Sequence, residues 1–288
     1  MPAFPIRLGV HTSIAGGMEK AVFRARDLGC SAMQVFSRNP RGWRVSPLST
    51  RSISAFRKAA EKGDIDPIVV HTPYLLNLAA PDENLHERSV ASLALDVKRA
   101  EQLGARFVVT HLGSAKAMGK EFGGGQVVKA LRAVLGGKFK VSILLENSAG
   151  GGNSVGSFLE EFQELFQKLE RDERLGVCFD SCHGFAAGYD FRSVQNTESL
   201  VRKIDQTIGG QRLALLHLND SSGPLGSHRD RHEHIGGGKI GMGGFKSLLG
   251  HPFFRGIPMI LETPKETPKD DLKNLARIRR ILKEGEGN

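Results

Sequence analysis

Eight short, continuously apolar runs recur along the chain, each followed by a stretch of helix length, and this alternation limits the possible folds more than any other feature. The runs are 6–11 (IRLGVH), 31–36 (SAMQVF), 67–71 (PIVVH), 106–111 (RFVVTH), 141–146 (VSILLE), 176–180 (GVCFD), 213–217 (LALLH) and 258–262 (PMILE). An unbroken apolar run, unlike an alternating one, marks a strand covered on both faces. The intervening stretches carry helical stripes. Residues 17–29 place Met18, Ala21, Val22, Ala25 and Leu28 on one side, and residues 84–103 do the same with Leu93, Val97, Ala100 and Leu103 before Gly104 stops the helix. Further helices are expected over 50–62, 125–136, 155–170, 197–208, 243–250 and 269–284. Eight strand–helix units, spaced by about 25–45 residues, predict an α/β chain folded as one (β/α)8 TIM barrel. An open doubly wound sheet is the alternative, but no Gly-rich dinucleotide fingerprint follows the first strand. No linker divides the chain, so a single catalytic domain spanning 1–288 is expected. The glycine clusters at 16–17, 123–125, 150–152 and 236–238 read as mobile or tight βα loops.

Composition excludes several classes. No apolar run approaches the ~20 residues of a membrane helix. The N-terminal MPAFPIRLGVH lacks the cationic and apolar blocks of a secretory signal, so neither export nor a membrane partner is expected. Three cysteines (Cys30, Cys178, Cys182) are too few and too odd for a disulfide framework and suit a cytoplasmic protein. A net charge of +9 suits a polyanionic partner, and equally a solvated basic surface.

The chemistry gathers at the strand ends. Seven of the runs finish on His11, His71, His111, Glu146, Asp180, His217 and Glu262. Parallel barrel strands bring their C-terminal ends to one face, where active sites of this fold lie. One histidine there is usually a satisfied core residue. Seven converging imidazoles and carboxylates would repel and be poorly solvated without a cation among them. Two more clusters follow: Asp180-Ser-Cys-His183 runs on past its strand, and Asp230-Arg-His232-Glu-His234 lies in the loop after His217. Asp-x-His spacing lets two ligands reach one ion from an extended segment. Nitrogen and oxygen donors without thiolate suit Zn2+, with Mn2+ or Fe2+ as alternatives, and Cys182 reads as a small buried thiol. Eight or nine donors exceed one tetrahedral ion, so two or three ions are expected, as in enzymes that hydrolyse phosphoesters.

These residues lie in motifs with a specific resemblance. GVHTSIAGG (9–17), HTPYLLNLA (71–79), LLENSAGGG (144–152), FDSCHGFAAGYD (179–190), HLNDS (217–221) and GSHRDRHEHIGGGKIG (226–241) closely resemble the endonuclease IV family of abasic-site endonucleases, from the first strand to Glu262. The resemblance implies three zinc ions, with Mn2+ possible at one site. It assigns His71 and His111 to the first, Asp180, His217 and Glu262 to the second, Glu146 as a bridge between them, and His183, Asp230 and His232 to the third. It further implies a monomer acting on double-stranded DNA with abasic sites. The implied reaction is hydrolysis of the phosphodiester 5′ to the lesion to leave a 3′-hydroxyl, and trimming of blocked 3′ ends is implied with it. The resemblance also gives Glu146 the catalytic role of positioning or deprotonating the nucleophile. Arg41 in NPRGW (39–43) and Tyr74 and Leu75 in HTPYLLNL (71–78) match side chains that enter the minor groove, where an aromatic and an apolar wedge serve to unstack bases. The chain departs from the family at Gly42, where relatives often carry a larger polar residue, at Leu112, and in the loop containing Ser222-Gly223-Pro224.

Two other readings compete. A sugar isomerase or epimerase of the same barrel group also ends strands on metal ligands, but needs fewer ions and no Asp230-Arg-His232 run. A module that recognises damaged DNA without cutting it would have no use for so many donor groups.

Overall fold

The computed structural model describes residues 6–286. The leading MPAFP, part of the segment read for a secretory signal, and Gly287 and Asn288, the end of the expected domain, lie outside the described residues. Eight parallel strands close into a barrel: β1 (Leu8–His11), β2 (Ala32–Phe36), β3 (Ile68–His71), β4 (Phe107–Thr110), β5 (Ser142–Glu146), β6 (Leu175–Asp180), β7 (Leu213–His217) and β10 (Met259–Leu261). β8 (Asp220–Ser221) and β9 (His232–Glu233) form a separate two-residue ribbon between the last two of these. β10 sits between β7 and β1 and completes the ring. The helices, in chain order, are α1 (Met18–Asp27), α2 (Thr50–Lys62), α3 (Glu83–Leu103), α4 (Gly119–Leu135), α5 (Leu159–Lys168), α6 (Ser181–Ala187), α7 (Val194–Thr207), α8 (Gly241–Gly250) and α9 (Asp270–Glu286). Among the described residues, no helix is long and apolar enough to cross a membrane.

The core has two layers. Ala32, Val69, Phe107, Val109, Leu144, Cys178, Leu215 and Ile260 pack together inside the barrel. Their neighbours, such as Val70, Val108, Ile143 and Leu216, point outward into the larger shell between strands and helices. Both faces of each strand are therefore dry, which is why the sequence shows runs and not alternation.

Local signals set most boundaries. Asp82 caps α3 by accepting from Leu85 N at 2.7 Å, and Gly104 ends it in the left-handed conformation at φ 73°. α5 is shorter than the expected 155–170. The Glu161 carboxylate accepts from the N–H groups of Gly156 (2.9 Å) and Phe158 (3.1 Å) and fixes the start at Leu159. The glycines at 123–125 depart from the reading as a loop, because they lie inside α4. Helix propensity disfavours each by about 1 kcal/mol. Close packing accounts for Gly123: a Cβ there would stand 2.8 Å from Val155 Cγ2 and 2.9 Å from Ala115 Cβ. Two small elements were not expected: α6, which follows β6 directly, and the β8–β9 ribbon.

At the N-terminal end of the barrel, arginines bond to main-chain carbonyls. Arg132 donates to Lys168 O (2.7 Å), Arg174 to Leu135 O (2.7 Å) and Gly137 O (3.0 Å), Arg212 to Arg171 O and Leu175 O (both 2.8 Å), and Arg279 to Gly29 O (2.6 Å). Most of these oxygens belong to the last turns of helices or the residues just after them, where main-chain acceptors lack intrahelical partners.

Candidate metal centre

Successive strand residues face opposite sides, so a residue two places beyond an interior core position also points inside. Val69 leads to His71, Leu144 to Glu146, Cys178 to Asp180 and Leu215 to His217. Two further donors sit one residue past the strand: His111 follows β4, two beyond Val109, and Glu262 follows β10, two beyond Ile260. Register aligns neighbours, with Asp180 opposite His217 on β6 and β7. The same rule directs Gln34, two beyond Ala32, into the mouth.

The nine expected ligands come together in three groups whose donor atoms lie within 4.8 Å of one another: His71, His111 and Glu146; Glu146, Asp180, His217 and Glu262; and His183, Asp230 and His232. Glu146 is central and fully buried. Its Oε2 lies 3.0 Å from His71 Nε2 and 3.4 Å from His111 Nε2, while its Oε1 lies 3.1 Å from His217 Nδ1. In the third group Asp230 Oδ1 is 3.1 Å from His183 Nε2 and 3.3 Å from His232 Nε2. The segment after β6 does not continue as extended chain. Asp180 becomes the N-cap of α6, accepting from His183 N at 2.8 Å, and that turn brings His183 back to the site. Asp230 and His232 arrive on the arm of the β8–β9 ribbon.

Hydrogen bonds to the main chain settle which nitrogen three of the rings offer. His71 Nδ1 donates to Thr72 O (2.7 Å), His183 Nδ1 to Asn147 O (3.0 Å) and His232 Nδ1 to Glu262 O (3.2 Å), which leaves the three Nε2 atoms facing carboxylates. An imidazole lone pair facing a carboxylate is repulsive unless a proton or a cation lies between them. Burial would push the Glu146 carboxyl up, but the charges of His111 and His217 overcome it and hold the group well below the usual carboxylate range. Burial likewise opposes ionisation of Asp230, yet its bond to His183 holds it at about 2. His183 itself is pushed well above its ordinary value, against burial, by Asp180 and Asp230. Ionised oxygens and inward-facing nitrogens, each ring oriented by a main-chain acceptor, make a donor set that fits divalent metal ions of the zinc kind. Cys182 also lies near Asp180 and His232, but burial pushes its thiol to about 12, unlike a thiolate ligand. His11 stands 3.4 Å from Glu262 Oε1 at the edge of the cluster.

Three residues that support the site escape the sequence reading: Gln34, Asn147 and Asn219. Asn219 donates to Asp180 Oδ2 (2.6 Å) and accepts from Glu262 N (2.8 Å), and Asn147 bridges both main-chain groups of Asp180. HLND and LLEN place an amide within two residues of a ligand in each motif, which is the available signal for Asn219 and Asn147.

The expected DNA-contacting residues lie at one side of the mouth, on the loops after the adjacent strands β2 and β3. Arg41 is exposed on the loop after β2. That loop is tied to α3: Arg38 grips Asp96, Arg99 donates to Ser37 O (2.6 Å) and Ser46 O (2.9 Å), and the Arg88 guanidinium lies 4.4 Å over the Trp43 ring. Tyr74, 70% exposed, meets Phe36 edge-on at 5.3 Å, and Phe36 in turn lies against the rings of His11 and His71. Leu75 is half-buried beside Tyr74.

A closed parallel barrel with imidazole and carboxylate donors at its C-terminal mouth defines a class, and a family model described as "Xylose isomerase-like TIM barrel" matches residues 22–284. A D-tagatose 3-epimerase-like protein shares that fold at a TM-score of 0.73 and 19% identity, over 97% of this chain and 98% of its own. Much higher identity links the chain to a narrower group. A "Probable endonuclease 4" of Methanoculleus marisnigri is 45% identical across 96% of this chain and 99% of its own length, and one of Halothermothrix orenii is 43% identical across 94% and 99%. The crystal structure of endonuclease IV from Thermus thermophilus superposes with a TM-score of 0.86 at 41% identity, covering 96% of this chain and 99% of that one. The chain belongs to the endonuclease IV family of abasic-site endonucleases.

Proposed function

We propose that the whole chain acts as one catalytic domain, a monomer in the cytoplasm. It hydrolyses the phosphodiester 5′ to an abasic site in duplex DNA, leaves a 3′-hydroxyl, and trims blocked 3′ ends at the same site. The observation that carries this reading is the gathering of nine nitrogen and oxygen donors into three groups around one mouth. Three zinc ions, with Mn2+ an alternative at one site, would be held by His71 and His111, by Asp180, His217 and Glu262, and by His183, Asp230 and His232, with Glu146 shared between the first two. Metal bound there supplies an activated water and neutralises charge on the phosphate and the leaving oxygen. Glu146, on the floor of the site, would position or deprotonate the nucleophile. Arg41, Tyr74 and Leu75 lie on loops beside the mouth, and their work is to hold the duplex bent and occupy the gap left by the displaced nucleotide. Cys30, Cys178 and Cys182 are all unpaired, which suits a reducing compartment.

The test is incubation with a duplex bearing a single abasic analogue, together with elemental analysis of the purified protein. One nick at the lesion with a 3′-hydroxyl and about three zinc ions per chain are expected. No nick would remove the activity, and one ion or none in active protein would remove the trinuclear centre.

A further inference from the structure

Gln34 is a fully buried amide in an otherwise apolar strand, and its carboxamide touches three groups at the barrel mouth. Nε2 lies 2.5 Å from Glu262 Oε1 and 3.0 Å from His11 Nδ1, and Oε1 lies 2.9 Å from His217 Nε2. The chemistry of the partners fixes the orientation. As a ligand of a divalent ion Glu262 is a carboxylate and only accepts, so the atom facing it must be the amide nitrogen. The oxygen then faces His217, and His217 Nε2 must carry the hydrogen. The Nδ1 lone pair is left pointing at the carboxylates, 3.1 Å from Glu146 Oε1 and 3.2 Å from Glu262 Oε2.

This arrangement sets His217 apart. His71, His183 and His232 each donate through Nδ1 to a main-chain carbonyl and present Nε2 to the site. Their tautomers are written into the backbone. His217 is turned the other way round, and its outer nitrogen is held by a side chain. The same side chain holds a carboxylate oxygen of Glu262, so one amide aligns two members of the Glu146, Asp180, His217 and Glu262 group.

We propose that Gln34 is a positioning residue of the metal centre: it imposes the Nε2–H tautomer on His217, so that Nδ1 is the ligating atom, and orients Glu262 toward the same space. The proposal rests on the reading that this group holds zinc. Outer partners of ligating histidines typically change metal affinity about 10–100-fold when removed.

The experiment pairs nitrogen NMR of 15N-histidine-labelled protein with zinc competition against a chelator, on the zinc-loaded wild type and on Gln34→Met. Methionine keeps the length and apolar bulk and abolishes the amide bonds. The wild type should show one ligating histidine with metal on Nδ1 and hydrogen on Nε2, beside others ligating through Nε2. In Gln34→Met that signature should be lost or averaged, and one zinc should be held about 10–100-fold more weakly, with circular dichroism unchanged. A Gln34 that only fills space would leave both readouts at wild-type values in Gln34→Met, and that result overturns the proposal. A wild-type spectrum in which His217 carries its hydrogen on Nδ1 overturns it without any variant, should Gln34→Met not fold. If the wild type binds no zinc, the metal reading fails by itself. The tautomer is still decided on the protein as isolated, brought to a pH at which the His217 ring is neutral, where Nε2–H upholds the role of Gln34 and Nδ1–H refutes it.

Discussion

The loop that carries Arg41 is anchored by a buried ion pair, and removing half of that pair should be far worse than removing all of it. Asp96 is wholly buried on α3, and the Arg38 side chain is 3% exposed. The carboxylate accepts from Arg38 Nε and Nη2, both at 3.1 Å, and from Ser37 Oγ at 2.6 Å. Burial pushes the Asp96 carboxyl above its ordinary value, and the Arg38 guanidinium only partly restores it, so desolvation outweighs attraction here. Asp96→Ala strands a guanidinium in a dry site, a change that typically costs about 3–5 kcal/mol. The lower end applies, because Arg38 keeps Ser92 Oγ and Gly42 O (3.3 Å) as acceptors. At roughly 2–4 °C per kcal/mol for chains near this size, about 3 kcal/mol lowers Tm by roughly 6–12 °C. The double variant Arg38→Met/Asp96→Leu removes both charges at similar volume and should recover most of the loss. Scanning calorimetry of the three proteins measures this, and hydrogen exchange over 39–46 should quicken in Asp96→Ala. A single variant melting within about 2 °C of wild type, or a double variant melting as low as the single, would refute the reasoning.

Other consequences can be checked separately. Glu146→Gln should abolish cleavage and weaken zinc retention while preserving the fold and much of the DNA affinity, because it removes a shared charge but little volume; single-turnover cleavage and metal analysis decide, and near-normal cutting with full metal would take Glu146 out of the reacting centre. Arg41→Ala and Tyr74→Ala should each weaken binding to abasic duplex by ~1–3 kcal/mol and barely affect undamaged duplex. Fluorescence anisotropy on both duplexes at one salt concentration is the measurement, and equal losses would mean that these side chains grip the backbone only. Arg174 holds the Asp172 carboxyl below the ordinary range, so their bond contributes stability above the unfolded pKa and loses it as pH falls through the lower folded value. Asp172→Asn should therefore be less stable than wild type at neutral pH, by under about 1 kcal/mol for this partly exposed pair, and indistinguishable from it in strong acid; denaturant melts at the two pH values test this.

Where the sequence could be read, physics made it legible. A strand buried on both faces must be apolar throughout until its last residue, so the donor at each end stood out against the run before it. His71, Glu146, Asp180 and His217 terminate their strands as expected, and His111 and Glu262 extend one residue beyond. α6 left no such trace because all seven of its residues are buried, and a helix without a wet side has no stripe. The β8–β9 ribbon is too short for any period to show. Gln34 was hidden by its neighbours. Ala32, Met33, Val35 and Phe36 make 31–36 read as a strand whatever stands among them, yet a lone amide inside a dry strand needs partners, and that need was the clue. The glycine triplet in α4 misled because propensity is local: the close approach of Val155 requires Gly123, while nothing in the structure requires Gly124 or Gly125.

The arginines fastened to carbonyls beneath the barrel bear on how this protein would find its substrate. Three to six residues of strand, at about 3.3 Å each, separate that end from the mouth. This exceeds the screening distance of roughly 8 Å in physiological salt. Part of the formal charge of +9 therefore serves as mortar on the far side and is felt only weakly by a strand of phosphates at the mouth. A mutant series that neutralised the lower arginines would bring the isoelectric point down and loosen the barrel, while leaving the pull on DNA nearly as it was.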